Sequence, residues 1–277
     1  MSQAWYDKAI APDDDPEDGC RPEEAQALKP CSDDKIEVAE AARLITNPTE
    51  SSQNPGADLQ NLWALLHNAS VELPNSQQKV IHLISNIKNS PKFDLDAHGK
   101  KRSGPLQSLS SSLWHDLPPF ANDWYDGNWW YYHNQWREKP ELYSSHDKIV
   151  HISNLARAEA LFAQTDILGE RVKYEGLSRL CDTLEDSNAV IKIEIHAIRE
   201  WLVNARDLLY EMSRIPHEHL LLFSNNDIKD KIAKGEMHFN IKDKRDFWQG
   251  SSSSSPERWN FWKKRLQELQ SDADLDG

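Results

Sequence analysis

Between Asn188 and Met212 an apolar residue recurs at Ile191, Ile195, Ile198, Leu202, Ala205, Leu209 and Met212, in alternating steps of four and three. An α-helix returns to the same side about every 3.6 residues, so these positions form one stripe; a strand, whose side chains alternate, would scatter them over both faces. The spacing predicts a long helix with a buried seam. Val190, Ala197, Trp201 and Leu208 widen that seam beyond the stripe of a two-stranded coiled coil, which places the helix centrally with neighbours on two sides. Asp186 or Ser187 is placed to start it, and Pro216 forbids its continuation. Its partners lie upstream. Tyr174, Leu177, Cys181 and Leu184 mark one shorter helix and Ile149, Ile152, Leu155 and Phe162 another. Short connections between the three predict an antiparallel bundle.

The first half carries the same period. Leu59, Leu62, Leu66, Ala69 and Leu73 precede Pro74, and Val80, Ile81, Ile84 and Ile87 follow it, which predicts a helical hairpin. Asp34 could cap a helix over residues 35–46 with Ile36, Ala39 and Ala42 on one side and Asn47-Pro48 as its stop. Near the end, Ser255, Pro256 and Glu257 suit the cap and first turn of a helix in which Trp259, Trp262, Leu266 and Leu269 share a face. Ten glycines in 277 residues is about half the usual share of ~7%. The predicted fold class is all-α: an antiparallel helical bundle, with an irregular, solenoid-like stacking of helix pairs left open. Residues 1–34 hold ten acids against three bases without helical periodicity and read as a disordered acidic leader. Residues 35–270 read as a single helical domain with loops near 98–112 and 239–255, the latter ending in five serines, and a polar helix from 225 to 234. Residues 271–277 form an acidic tail.

A net charge of −13 argues against a general nucleic-acid binder, because phosphate affinity comes from clustered Lys and Arg. Residues 35–265 hold 29 bases and 31 acids, so that exclusion is weaker for the body than for the ends. Apolar runs such as residues 220–223 are far short of the ~20 residues a bilayer requires, so no membrane role is expected. No apolar run flanked by bases opens the chain, and Cys20, Cys31 and Cys181 have no metal spacing. The expected compartment is the cytoplasm. Lys100-Lys101-Arg102 is a candidate nuclear-import signal whose plainer reading is a solvated loop. No feature sets an oligomeric state.

Eleven tryptophans are the compositional anomaly, and nine aromatics crowd the 23 positions from Trp114 to Trp136. One helix face cannot bury so many. Trp124, Trp130 and Tyr131 could share a face, with Trp129, Tyr132 and Trp136 beside it. A helix at the centre of a bundle, with Asp116, Asp123 and Asp126 accepting indole N–H groups, is one reading. The other is a surface or pocket built from Trp114, Asp116, Trp124, Trp129, Trp130, Tyr131, Trp136 and Trp201, taking a protein partner or a small apolar or aromatic ligand.

Trp114-His115-Asp116-Leu117-Pro118 resembles the W-x-D-L-P signature of the fungal domain-of-unknown-function family 3632. Residues 255–263, Ser-Pro-Glu-Arg-Trp-Asn-Phe-Trp-Lys, resemble that family's closing motif E-R-W-x-F-W-K. Residues 177–185 are similar to its L-R-x-A-L-E helix, with Trp201, Ala205, Leu209 and Tyr210 following, and Gln78, Val80 and Ile81 resemble its early Q-x-L-V helix. The resemblance runs from about residue 59 to residue 269. It implies a mostly helical fold, a fungal origin and an intracellular setting, and no activity.

Catalytic signatures are sparse. Asp14-Asp15-Pro16-Glu17-Asp18 matches the D-D-x-x-D magnesium motif of terpene cyclases, but it sits near the N-terminus around a proline, and the second metal motif fails at Asp230 and Lys234. His217-Glu218-His219 diverge on a helix and lack a third ligand, and His146, Asp147 and His151 fare no better. No G-x-S-x-G elbow, glycine-rich phosphate loop, H-E-x-x-H or C-x-x-C occurs, and no motif requires a cofactor or a metal. Glu200 and Glu211, near the central seam, are the first general-base candidates, with ion pairing to Arg199, Arg206 or Arg214 as their ordinary reading. The expected function is a non-catalytic interaction or regulatory module using the Trp/Tyr-rich surface. The alternative is a small-molecule binder or motif-less enzyme of fungal secondary metabolism with a Trp-lined pocket.

Overall fold

A computed structural model of the chain describes residues 3–10, 19–100, 106, 113–117, 119–127, 129–216, 230, 233–235 and 245–271. Several features read from the sequence lie outside the described residues: the Asp14 to Asp18 motif, Lys101 and Arg102, the apolar run and His-Glu-His triplet within 217–229, most of the polar helix expected at 225–234, and the tail from 272 onward. Among the described residues the secondary structure is helical, with one isolated bridge between Ile10 and Cys20 and no sheet. No described helix is long and apolar enough to cross a membrane. The chain divides into two compact units, residues 1–128 and 129–277, where the sequence reading anticipates one domain.

The first unit contains α1 (Gln3–Ala9), α2 (Pro22–Ser32), α3 (Val38–Ser51), α4 (Pro55–Glu72), α5 (Gln77–Lys88) and α6 (Phe120–Gly127). The hairpin forms as its spacing predicts: Leu59, Leu62, Leu66, Ala69 and Leu73 on α4 and Val80, Ile81, Ile84 and Ile87 on α5 are buried. The described part of the leader differs from expectation. Pro22 starts α2, Arg21 N–H donates to Glu24 Oε2 at 2.9 Å, and Ala25, Ala27, Leu28 and Cys31 are buried as α2 packs on α3. These small apolar residues lie among acids, which is why no periodicity shows. Tyr6 is buried on α1 and Trp5 Nε1 donates to Glu72 Oε2 at 2.7 Å. The third helix begins and ends later than expected: Asp34 takes a left-handed turn (φ 59°) rather than capping it, and it runs through Pro48. Proline there removes one N–H, leaving the Leu44 carbonyl without its helical partner, and Leu44 is 37% exposed, so water can replace the bond.

The second unit contains α7 (Trp129–Glu138), a 3₁₀ turn at Pro140–Leu142, α8 (His146–Phe162), α9 (Arg171–Leu184), α10 (Ile191–Arg214) and α11 (Pro256–Ser271). Helix α10 packs most extensively along α8 and also meets α9 and α11, the central position its broad seam predicts. Its buried stripe is rotated from the expected one. Glu194, Ala197, Ile198, Trp201, Ala205 and Leu209 are buried, while Ile191, Ile195, Leu202 and Met212 are half-exposed. Ala205 departs from helical geometry (φ −139°, ψ 27°), which kinks the helix. Val190, rather than Asp186 or Ser187, occupies the cap. Gly176 lets α9 and α10 approach closely, since a Cβ there would lie 2.6 Å from the Trp201 ring.

The serine-rich stretch forms a loop, and its described part is bound to the unit instead of hanging free. Phe247 N–H donates to the Glu185 carbonyl at 2.8 Å, Ser254 Oγ to the Ile215 carbonyl at 2.7 Å, and Ser187 Oγ to Asp246 at 2.9 Å. Helix α11 starts as its sequence indicates, with Arg258 N–H donating to Ser255 Oγ at 3.1 Å and Pro256 in the first turn.

Candidate functional site

Helix α9 is buried on nearly all sides, charged residues included: Glu175, Arg179 and Asp182, then Glu185 just beyond its end. Taking ions out of water costs several kcal/mol apiece unless each finds an opposite charge and hydrogen bonds. Here each does. Arg179 Nη2 lies 3.1 Å from Glu159 Oε1 and 2.8 Å from Glu175 Oε2. Arg245 pairs with Asp182 and donates to Ser178 Oγ. Arg137 on α7 donates through Nε and Nη2 to the two Glu194 oxygens, 2.8 Å each, through Nη1 to Asp186 at 2.9 Å, and to the Asp182 carbonyl at 2.7 Å. Arg258 closes the row on Glu185. None of these paired side chains is more than 8% exposed.

Among the described residues, four buried guanidinium groups thus answer six carboxylates, of Glu159, Glu175, Asp182, Glu185, Asp186 and Glu194, and the exposed Arg171 adds a 3.1 Å contact to Glu175. Burial pushes the Glu159 and Glu194 carboxyls above the usual range against the pull of Arg179 and Arg137. Burial acts the same way on Asp182, but Arg245, His133, Arg137 and Arg179 outweigh it and hold that carboxyl below the usual range. His133, buried beside this row, is pushed down to about 3 by burial; Asp182 opposes that shift, and Arg137, Arg179 and Arg245 add to it. Cys181 is pushed up to about 12 by burial and is inert as a nucleophile. The network is a charged core that assembles the unit, closed to solvent.

An opening exists where α10 meets α11. Leu180, Leu202, Tyr210, Trp259, Trp262 and Leu266 line a cavity of about 400 Å³, with Arg206, Asp207 and Lys263 at its polar edge. Trp262 links the two features: its indole N–H donates to Glu185 Oε1 at 2.7 Å while its ring forms cavity wall. Trp259 meets Trp262 edge-on with centroids 6.1 Å apart and meets Tyr210 at 5.6 Å, arrangements that aromatic quadrupoles favour. The half-exposed side of Leu202, a seam residue by its spacing, is explained by this cavity.

Among the described residues, four of the tryptophans expected at an aromatic surface lie in the interior instead. Trp114, Trp124, Trp136 and Trp201 are fully buried. In the first unit, Trp114 Nε1 donates to Glu50 Oε1 at 2.7 Å, its ring meets Trp63 at 6.1 Å, and Trp124 packs on His67 at 5.5 Å. In the second, Trp136 Nε1 donates to Glu194 at 3.1 Å and Trp201 packs on Gly176. Asp116 is exposed. The side chains of Trp129, Trp130 and Tyr131 lie outside the described residues. The aromatic run is cut by the boundary between units rather than forming one helix; Trp114, Phe120, Trp124 and Trp136 fill cores, while Tyr125 and Tyr132 are half-exposed. Nor do the base candidates converge on anything: Glu211 is exposed, and half-exposed Glu200 accepts only from Asn204 of its own helix among the described residues. Sequence reasoning missed the buried carboxylate about one turn and a half earlier on α10, Glu194, and it placed Trp259 and Trp262 on one helix face without showing that they line a cavity. The signal was present in Leu266, one turn beyond Trp262, and in Leu202 of the α10 seam, both of which line the cavity.

Two of the stretches that carry the family resemblance meet at Glu185, the last residue of one and the acceptor for Arg258 and Trp262 of the other. No curated protein and no solved structure matches the chain. Residues 63–266 match the family model described as a protein of unknown function, DUF3632. That match covers most of the chain, which therefore belongs to the DUF3632 family.

Proposed function

We propose that this DUF3632 protein is a non-catalytic binding module whose working site is the cavity between α10 and α11, and that its ligand is a small apolar or aromatic molecule. The observation that carries this reading is the cavity itself. At about 400 Å³ with tryptophan, tyrosine and leucine walls, it falls within the ~300–1,000 Å³ typical of ligand pockets, which are mostly apolar with a few polar groups at fixed places. A protein partner held by Trp114, Trp124, Trp136 and Trp201 is disfavoured because those side chains are core. Catalysis is disfavoured because the carboxylate at the cavity, Asp207, is 87% exposed and engaged by Arg206 instead of being turned toward a bound molecule. Three buried free thiols, Cys20, Cys31 and Cys181, support a reducing, cytoplasmic setting.

Titration with the neutral fluorophore N-phenyl-1-naphthylamine tests this. The wild-type chain should bind it saturably at one site and quench tryptophan emission, and Leu202→Trp, which fills the cavity, should weaken binding at least tenfold with an unchanged circular dichroism spectrum. Equal binding by both proteins, or none by either, would refute the reading.

A further inference from the structure

The ligand class of this cavity can be narrowed, and the narrowing rests on the pocket reading above. We propose that the cavity selects small apolar carboxylic acids, with the carboxylate held by Lys263 and the apolar body between Leu202, Trp262 and Leu266.

The charges at the edge carry the choice. Arg206 and Asp207 satisfy one another, Nε to Oδ1 at 3.1 Å. On α11 the two cations that follow Lys263 are also answered: Lys264 lies 3.7 Å and Arg265 2.7 Å from the oxygens of Glu268. Lys263, exposed and on the cavity edge, stands within salt-bridge distance of no carboxylate among the described residues. The cavity mouth thus carries two cations against one anion, and the anion is engaged. Aromatic walls alone would also accept a cationic ligand through ring faces, but the unanswered charge of Lys263 would repel it. A carboxylate reverses that sign: it gives Lys263 a charge-assisted hydrogen bond while the hydrophobic part leaves water against indole and leucine.

The pair is at the rim, where water competes, so the selectivity should be modest, about two- to fivefold over a neutral compound of the same shape. Titrating the full chain with 2-naphthoic acid and with 2-naphthamide at pH 7.5 and low salt, by calorimetry, reads this directly. The acid should bind about two- to fivefold tighter than the amide, and Lys263→Met should reduce the acid to the affinity of the amide without moving the amide. Added salt should shrink the preference in the wild type only. Equal binding of acid and amide by the wild type overturns carboxylate selection while leaving the pocket standing. A preference that survives in Lys263→Met overturns Lys263 as the anchor. If neither compound binds, the pocket reading itself falls.

Discussion

Arg258 and Glu185 meet as a two-point ion pair with no exposure on either side, Nε to Oε1 and Nη2 to Oε2, each at 2.7 Å. Trp262 donates to the same Oε1, Arg258 Nη1 donates to the Ser252 carbonyl at 2.8 Å, and Nη2 also lies 3.1 Å from Cys181 Sγ. One contact therefore fastens α11 and the serine loop to the end of α9. Removing one partner strands a buried charge, so Arg258→Met and Glu185→Leu should each cost about 3–5 kcal/mol, and the double replacement should cost less than the sum of the two. Urea unfolding of the four proteins checks this; strict additivity would mean the pair is not coupled.

That pair also shows where sequence reading succeeds and where it stops. The start of α11 is written locally, in Ser255, Pro256 and Glu257, and so is the period of α4, α5 and α10. The partner of Arg258 lies 73 residues away, and local spacing carries no information about it. Charged residues of a helix ordinarily face water, yet Glu175, Arg179 and Asp182 on α9 are interior because Glu159, Arg245 and Arg137 arrive from other elements. The stripe on α10 was legible as a stripe, but its rotation follows from Glu194, a charge no hydrophobic pattern would place inside. The aromatic run misled for the opposite reason: its density suggested excess surface, while the division into two units gives Trp124 and Trp136 separate cores.

Within the first unit, pH should act through two buried groups with opposite signs. Glu24 is pushed up to about 7, first by burial; its contribution is fully present below its usual range near 4.5 and is lost as pH rises through 7. His67, buried against Phe120 and Trp124, is pushed down to about 3 by burial; its contribution is present above about 6.5 and lost as pH falls. Between roughly pH 4.5 and 6.5 the two slopes oppose each other. Glu24→Gln keeps an acceptor for Arg21 N–H and removes the titration. The stability of this variant relative to wild type should therefore rise by about 3 kcal/mol from pH 4.5 to 7.5, measured by urea unfolding at each pH. A constant difference would show that Glu24 is ionised in the folded chain at both ends.

Gly176 should be irreplaceable even by the best helix former. Alanine in a helix interior gains about 1 kcal/mol over glycine, but here its Cβ would fall 2.6 Å from two atoms of the Trp201 ring and 2.7 Å from Leu209 Cδ2. Overpacking of a rigid indole costs roughly 1–3 kcal/mol or more, so Gly176→Ala should lower Tm despite its propensity. Trp201→Leu in the same chain should recover part of the loss, making the double variant more stable than additivity predicts. A raised Tm for Gly176→Ala alone would mean α9 and α10 are farther apart than the structure places them.

Arg137 tests whether the charged core needs geometry or only charge. Its planar group reaches both Glu194 oxygens, Asp186 and the Asp182 carbonyl at once; the single ammonium of lysine cannot span them. Arg137→Lys should cost about 2–4 kcal/mol near neutral pH, because it leaves Glu194 poorly paired where burial already holds its carboxyl above the usual range. Weaker pairing raises that carboxyl further, and a raised folded value favours stability at low pH and forfeits it as pH rises. The penalty measured by urea unfolding should accordingly be smaller at pH 5 than at pH 8. A penalty equal at both would indicate that the exchange does not move the Glu194 carboxyl, so that pairing with Arg137 is not what sets its protonation.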